Sequence, residues 1–308
     1  MRTCKAYSPA GISSIFEIVD RNSNGTPISN LLKIGARGGG FVITRGVETQ
    51  VKVEKNSKPD LKVHINGKLS REAITTETVT GMLLKKARVR ARVSIYHSVE
   101  PPIGCGYGTS AAGSLSAALA LCQALQLDMT YNQIGQLAHV AEIKCRTGLG
   151  TVGPLLLGGH VVTSQPGAPG FSIIDRIPID PDCRIVTGWF GPISTRTALS
   201  NQILRSRVNR FGRYSIEAIL KKPTPRNFMT ICRRFAESVG LMTERLRRLS
   251  FAMMQSGAIG VTQNMLGEAV HALVEDEKEK KVYEAARNFL PRTQIFSTTI
   301  EFQGARPL

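Results

Sequence analysis

The chain has 308 residues, 42% hydrophobic and 20% charged, and its 40 Lys and Arg outnumber 23 Asp and Glu for a net charge of +17. That composition excludes an intrinsically disordered chain, and the length suffices for two domains with sizeable cores. No apolar run reaches a membrane span, because the longest, within 111–125, is broken by Gly113, Ser114, Ser116 and Gln123.

The opening "MRTCKAYSPAG" lacks the apolar core of a signal peptide, so a cytoplasmic protein with no membrane partner is expected. The cysteines (Cys4, Cys105, Cys122, Cys145, Cys183, Cys232) form no C-x-x-C pair, which argues for free thiols rather than zinc. Basic residues are dispersed in "KKARVRAR" (85–92), "RSRVNRFGR" (205–213), "RLRR" (245–248) and "KEKK" (278–281), and aromatics are only 6%. Solvated faces and an anionic substrate are favoured over nucleic acid, whose stacking would want more aromatic side chains.

In chain order, "TCKAYS" (3–8), "GFVITRG" (40–46), "TQVKVEK" (49–55) and "LKVHING" (61–67) carry β-branched residues at period two and predict strands, with a turn at Asn66-Gly67. Residues 72–86 predict a helix. In 88–96, Val89, Ala91, Val93 and Ile95 share one face of a strand. That strand runs into "PPIGCGYGTSAAGSLSAALAL" (101–121), a glycine loop followed by a helix apolar on every side. A second helix is predicted over 131–145, with Ile134, Leu137, Ala138, Ala141 and Ile143 near helical spacing. A loop and short helix lead to another strand, and "QPGAPG" (165–170) reads as a hairpin or linker. From about 184 the character changes: "RIVTGWF" is a strand, helical patterns dominate 213–288, and "TQIFSTTIEFQG" ends in a strand or two. The expected division is residues 1–185 and 186–308, and the expected class is α+β with two-layer α/β packing.

Gly104, Gly106 and Gly108 let the backbone take positive φ and approach a bulky anion, and a helix N-terminus adds free N–H groups and a positive dipole end. Thr109 and Ser110 fall at the N-cap and first turn, where a hydroxyl reaches a phosphate oxygen or a magnesium ion. On glycine spacing alone, a phosphate cradle and a tight strand-to-helix turn both fit. The loop is neither a Walker A motif, having no Lys after Gly108, nor the dinucleotide fingerprint, since its spacing is G-x-G-x-G.

Pro102, Gly106, Gly108, Ser110, Ala111 and Ala112, read as P-x-x-x-G-x-G-x-S-A-A, resemble the phosphate loop of the GHMP kinase superfamily. The blocks "SPAGISSIFEI" (8–18), "GARGGGFVITRGVETQV" (35–51), "AHVAEIKCRTGLG" (138–150), "GGHVVTSQPGAPG" (158–170), "GPISTRTAL" (191–199), "NMLGEAVHAL" (264–273) and the final "GARPL" are similar, in the same order, to the archaeal pantoate kinase family. The resemblance implies a GHMP kinase fold: a ribosomal-S5-domain-2-like N-terminal domain and a ferredoxin-like C-terminal domain. It implies an ATP- and Mg2+-dependent kinase that phosphorylates pantoate to 4-phosphopantoate for coenzyme A synthesis, and a homodimer.

By the same resemblance, Pro102, Gly104, Gly106, Tyr107, Gly108, Thr109, Ser110 and Ala111 bind the ATP phosphates. Ser110 and Glu142 hold magnesium, and Ser13, Arg37 and His139 contact the hydroxy acid. His139 sits three residues before Glu142 and so shares its helix face. A half-buried structural histidine is the other reading of that residue. Arg37 is suited to bidentate carboxylate recognition. Thr151 stands where the family often has an Asp and is the candidate for orienting the acceptor hydroxyl. Ala36 and Thr163 replace a Ser and an Arg, and Ala10-Gly11 replaces Gly-His. The alternatives are a kinase for another small hydroxy acid or polyol, and a non-catalytic nucleotide- or RNA-binding relative.

Overall fold

The computed structural model describes residues 1–56, 58–193 and 202–308. Two long antiparallel strands, β1 (Arg2–Val19) and β2 (Gly35–Lys55), form its spine, paired from Arg2↔Val53 to Val19↔Gly35. The strand signals at 3–8, 40–46 and 49–55 are thus pieces of two longer strands. Pro9 and the glycines of 38–40 weaken local strand propensity, which is why the pattern looks interrupted. Pro9 is absorbed at a register shift, and a side chain at Gly38 or Gly40 would run into the β1 carbonyls of Ile15 or Ile12.

The first sheet continues with β3 (Asp60–Ile65), β4 (Lys68–Leu69), β5 (Ala91–Val99), β6 (His160–Gln165) and β7 (Ile173–Arg176). β2 changes neighbours along its length: its first part pairs with β6 and its last part with β5. Helices α1 (Ile74–Ala87), α2 (Thr109–Leu125) and α3 (Tyr131–Cys145) cover one face, and short α4 (Val152–Leu157) leads into β6. α2 is buried almost throughout, as its lack of charge predicts, and α3 starts at a Thr130–Gln133 capping box.

The second sheet holds β8 (Arg184–Pro192), β9 (Gly260–Gln263), β10 (Gly267–Val274) and β11 (Ile295–Thr299), in the antiparallel order β11-β8-β10-β9. The intervening helices are α5 (Gln202–Lys221), α6 (Pro225–Val239), α7 (Glu244–Gln255) and α8 (Glu279–Arg287). This is the split βαβ arrangement of a ferredoxin-like domain. β9 and β10 correct the helical reading of 213–288: their residues are almost all buried, so neither shows the alternation that betrays a half-exposed strand. The last strand, β12 (Arg306–Pro307), returns to β1 in the first sheet. Residues 194–199 of the block "GPISTRTAL" lie outside the described residues.

β1 and β2 serve two cores. Ala10, Ile12, Ile15, Phe41 and Ile43 join the core shared with the second sheet and its helices. Ala6, Val42, Val47 and Val51 join the core under α1–α3. Opposite strand faces feed opposite layers, so the first sheet is sandwiched, and β1 and β2 are packed on both faces where their middle parts border the cleft.

Candidate active site

A cleft of about 840 Å³ opens between the glycine loop, the ends of α1 and α3, the middle of β1 and β2, and the β9–β10 turn. Gly104, Gly106 and Gly108 all border it with φ of +79°, +82° and +61°. All three are also pressed by neighbours: a Cβ on Gly104 would stand 2.9 Å from Pro192 Cβ, one on Gly106 2.9 Å from Asn264 Cβ, and one on Gly108 2.8 Å from Thr151 Cγ2. The loop therefore combines left-handed backbone with close approach, which only glycine allows.

Gly108, not Thr109, is the N-cap of α2, and Thr109 is the first helical residue. No side chain caps this helix, so the leading N–H groups are left for an anion at the positive dipole end. Tyr107 contributes backbone only. Its ring is buried, and its hydroxyl donates to Thr187 Oγ1 at 2.7 Å, because the Thr187 proton goes to the Val270 carbonyl. Burial pushes the Tyr107 phenol well above its usual range, so this link to the second sheet stays neutral. Two expected phosphate contacts lie elsewhere. Pro102 borders a separate groove beside Trp189 and Phe296, and the Ala111 side chain is in the core. The chain turns into the cleft only after Pro102, and the helix turns Ala111 Cβ away from its exposed N-terminus.

Ser110 and Glu142 meet. The Ser110 hydroxyl donates to Glu142 Oε1 at 2.6 Å, and Thr147 Oγ1 donates to the same oxygen at 2.6 Å. Thr75 Oγ1 completes the group, 3.1 Å from Ser110 Oγ and 3.0 Å from Thr147 Oγ1. Burial raises the Glu142 carboxyl, while the two hydroxyl donors oppose that shift. No basic side chain among the described residues pairs with it, and Gly148 gives its other oxygen room that any side chain would fill. Thr75 and Thr147 were not singled out from the sequence. Thr147 lies inside a recognisable block, whereas nothing local marks Thr75 on α1.

Arg37 borders the cleft from β2. Its Nη1 donates to Glu17 Oε2 at 2.9 Å and its Nε to the Ser164 carbonyl at 2.9 Å. Arg213 Nε takes the other Glu17 oxygen at 3.0 Å, so two guanidinium groups share one buried carboxylate and the site keeps a positive balance. Ser13 and Thr151 also border the cleft. Arg146, missed in the sequence, does too: it ends α3 at φ +56° and has no ion-pair partner among the described residues.

His139 is a correction. It does not border the cleft. Its Nε2 donates to the Ile34 carbonyl at 2.9 Å, and burial lowers its pKa. It shares a face with Glu142, as the spacing predicts. It lies about 4.5 Å farther back along the axis, however, behind the cleft wall, where it steadies the chain entering β2.

Comparison with known proteins agrees with the fold. Residues 74–159 match the family described as the GHMP kinases N terminal domain. The homoserine kinase of Cytophaga hutchinsonii shares the fold, with a TM-score of 0.74 at 16% identity over 100% of this chain and 98% of that one. The class is that of the GHMP kinases. Closer matches narrow it. The pantoate kinase of Thermococcus kodakarensis is 31% identical over 280 residues, 90% of this chain and 89% of that protein. The pantoate kinase of Methanocaldococcus jannaschii is 29% identical over 271 residues, 88% and 93% of the two. A solved structure described as a phosphotransferase related to the CoA biosynthesis pathway has a TM-score of 0.88 at 28% identity, covering 100% of this chain and 99% of that one. The chain belongs to the pantoate kinase family.

Proposed function

We propose that this protein transfers the γ-phosphoryl group of ATP to the terminal hydroxyl of pantoate, giving 4-phosphopantoate and ADP. The observation that carries the reading is the convergence on one cleft of an uncapped helix N-terminus, the buried Ser110–Glu142 pair and Arg37. Its relatives bear the same activity as their name.

The backbone N–H groups of the glycine loop and α2 suit the ATP phosphates. Arg146, at the cleft wall with no ion-pair partner among the described residues, adds positive charge on that side. Glu142 fits a divalent cation, being a buried carboxylate with no basic partner among the described residues and a hydroxyl 2.6 Å away. Ser110 and Glu142 would hold Mg2+, which keeps most of its shell for water and phosphate oxygens. When bound, the ion offsets negative charge on the phosphates. Arg37 Nη2 has no acceptor among the described residues, which leaves it for the pantoate carboxylate. Thr151 cannot act as a base near neutral pH, but its hydroxyl can orient the attacking oxygen. The transition state of phosphoryl transfer is loose, so the alcohol loses its proton late and no strong base is required.

The test is ADP release with pantoate against a panel of hydroxy acids and polyols. Pantoate-dependent turnover that needs Mg2+ supports the reading, and a preference for another acceptor overturns it. The proposal extends to a cytoplasmic homodimer, which sedimentation tests for its stoichiometry. No described helix is long and apolar enough to cross a membrane.

A further inference from the structure

β1 carries an irregularity where it borders the cleft. Ser13 pairs with Gly40 and Ile15 with Gly39, so Ser14 is the extra residue of a bulge. A bulge re-aims the side chain it adds. Ser14 Oγ, buried, stands 2.8 Å from His271 Nε2 on β10. The other ring nitrogen, Nδ1, stands 2.8 Å from Asn264 Oδ1 in the turn between β9 and β10. Ser14, His271 and Asn264 are all fully buried, and they join the two sheets through one imidazole.

What this chain of bonds holds is the cleft wall. The Met265 amide donates to the Ser13 carbonyl at 2.8 Å, and Ser13, Met265 and Leu266 all border the cleft. On its other side the same turn presses on the glycine loop. Asn264 Cβ would lie 2.9 Å from a Cβ on Gly106, and Gly267 leaves no room for a side chain beside the Cys105 carbonyl. The turn is therefore wedged between the β1 bulge and the phosphate loop.

The cost of this arrangement is visible. Gln263 Oε1, Thr262 Oγ1 and both ring nitrogens of nearby His160 are buried with no hydrogen-bond partner among the described residues. An apolar filling would avoid those orphaned groups, so the polar contact brings directionality that apolar packing lacks. His271 is held neutral by burial, with its pKa lowered to about 3, so it accepts at one nitrogen while donating at the other.

We infer that His271 is a positioning residue for the acceptor subsite: bridging Ser14 and Asn264, it sets where Ser13, Met265 and Leu266 stand relative to the phosphate loop. The inference rests on the proposed reading in that pantoate occupies the Ser13–Arg37 end of the cleft.

The main test is Ser14→Ala, which removes one hydroxyl with almost no change of volume, alongside Asn264→Ala, which keeps the Cβ packed on Gly106. The expected result is a rise of about tenfold in the pantoate KM, since small misplacements of a reacting group are costly. The ATP KM should stay within about twofold. Amide exchange at Met265 should quicken while β2 and α2 stay protected. His271→Gln, which can keep one of the two bonds, should fall between the parent and His271→Ala. The double variant Ser14→Ala/His271→Ala should be no worse than His271→Ala alone, because both act through one bond. Unchanged pantoate KM and unchanged Met265 exchange in Ser14→Ala would overturn the inference, as would a fall in melting temperature with no change in either. If the parent itself turns over no pantoate, the functional reading fails, and Met265 exchange still decides whether the bridge holds the turn.

Discussion

At the end of the cleft proposed for the phosphates, the cleft-bordering groups come from residues 104–110 and from Glu142 and Thr147 farther along the same stretch, with Thr75 alone added from α1. At the acceptor end, Ser13, Arg37, Met265 and Leu266 are brought together from β1, β2 and the second sheet. The first end depends on local geometry: a glycine loop, a helix start and one turn of α3. The second depends on how two sheets dock. Substitutions at the first should therefore remove chemistry with little effect on acceptor affinity, and those at the second should alter acceptor affinity first.

The largest effect is expected at Glu142. Glu142→Gln keeps the volume and a hydrogen-bond acceptor but removes the charge, and should lower kcat by about a hundredfold or more, a loss of some 3 kcal/mol of transition-state stabilisation. Ser110→Ala should behave similarly while the fold survives. ADP release at saturating substrates measures both, and near-normal turnover would mean that neither group serves the metal or the phosphates.

Arg37→Ala should show the opposite signature, with the pantoate KM raised about tenfold to a hundredfold and the ATP KM little changed, as for loss of a charge-assisted carboxylate contact. Equal weakening of both substrates would erase the distinction between the two ends.

The buried histidines, two of them at the seam between the sheets (His160 and His271) and one under α1 in the first sheet (His97), should make the fold sensitive to acid. Burial lowers the pKa of His97 to about 4 and of His160 and His271 to about 3, with the neighbouring His271 also acting on His160. In the unfolded chain they titrate near 6.5, so below that pH the unfolded state binds protons that the native state refuses. Stability is therefore undiminished above about pH 6.5 and falls as pH drops toward 4, by up to about 1.4 kcal/mol per pH unit for each histidine. His160→Phe, placed between Phe41 and Phe228, should shift the acid-unfolding midpoint to lower pH in a denaturation series. A midpoint that does not move would show that this ring is not a source of acid lability.

Thr151 should give the smallest change. It borders the cleft with its methyl directed at Gly108 and Gly11. Thr151→Ala should slow turnover only several-fold by lost orientation, and Thr151→Asp should be tolerated or faster. Turnover that appears only in Thr151→Asp would make the natural chain a non-catalytic relative.

Much of the phosphate end was legible in the sequence because its signals are short-range. Glycines at alternate positions, a charge-free run and helical spacing located α2 and α3, and the resemblance of the blocks around them singled out Ser110 and Glu142. The capping error at Thr109 and the misplaced Pro102 and Ala111 are errors of one turn or a few residues, which depend on where a side chain points rather than on where an element lies. His139 shows the same limit: periodicity assigned its face, but the depth of the cleft along the helix axis decided that it meets the Ile34 carbonyl instead of a ligand.

The acceptor end was legible only as a list of residue types. By itself, the sequence determined the class of fold, the loop that presents backbone amides to an anion, and the arginine and hydroxyl residues available to bind an acid. Tertiary structure alone decided that Arg37 shares Glu17 with Arg213, that Ser14 leaves the β1 ladder toward His271, and that β9 and β10 are strands inside a stretch with a helical pattern. The physical reason is range. Propensity and periodicity act over a few residues, whereas a bond such as Ser14 to His271 exists only after two sheets have packed and buried both partners beyond the reach of water.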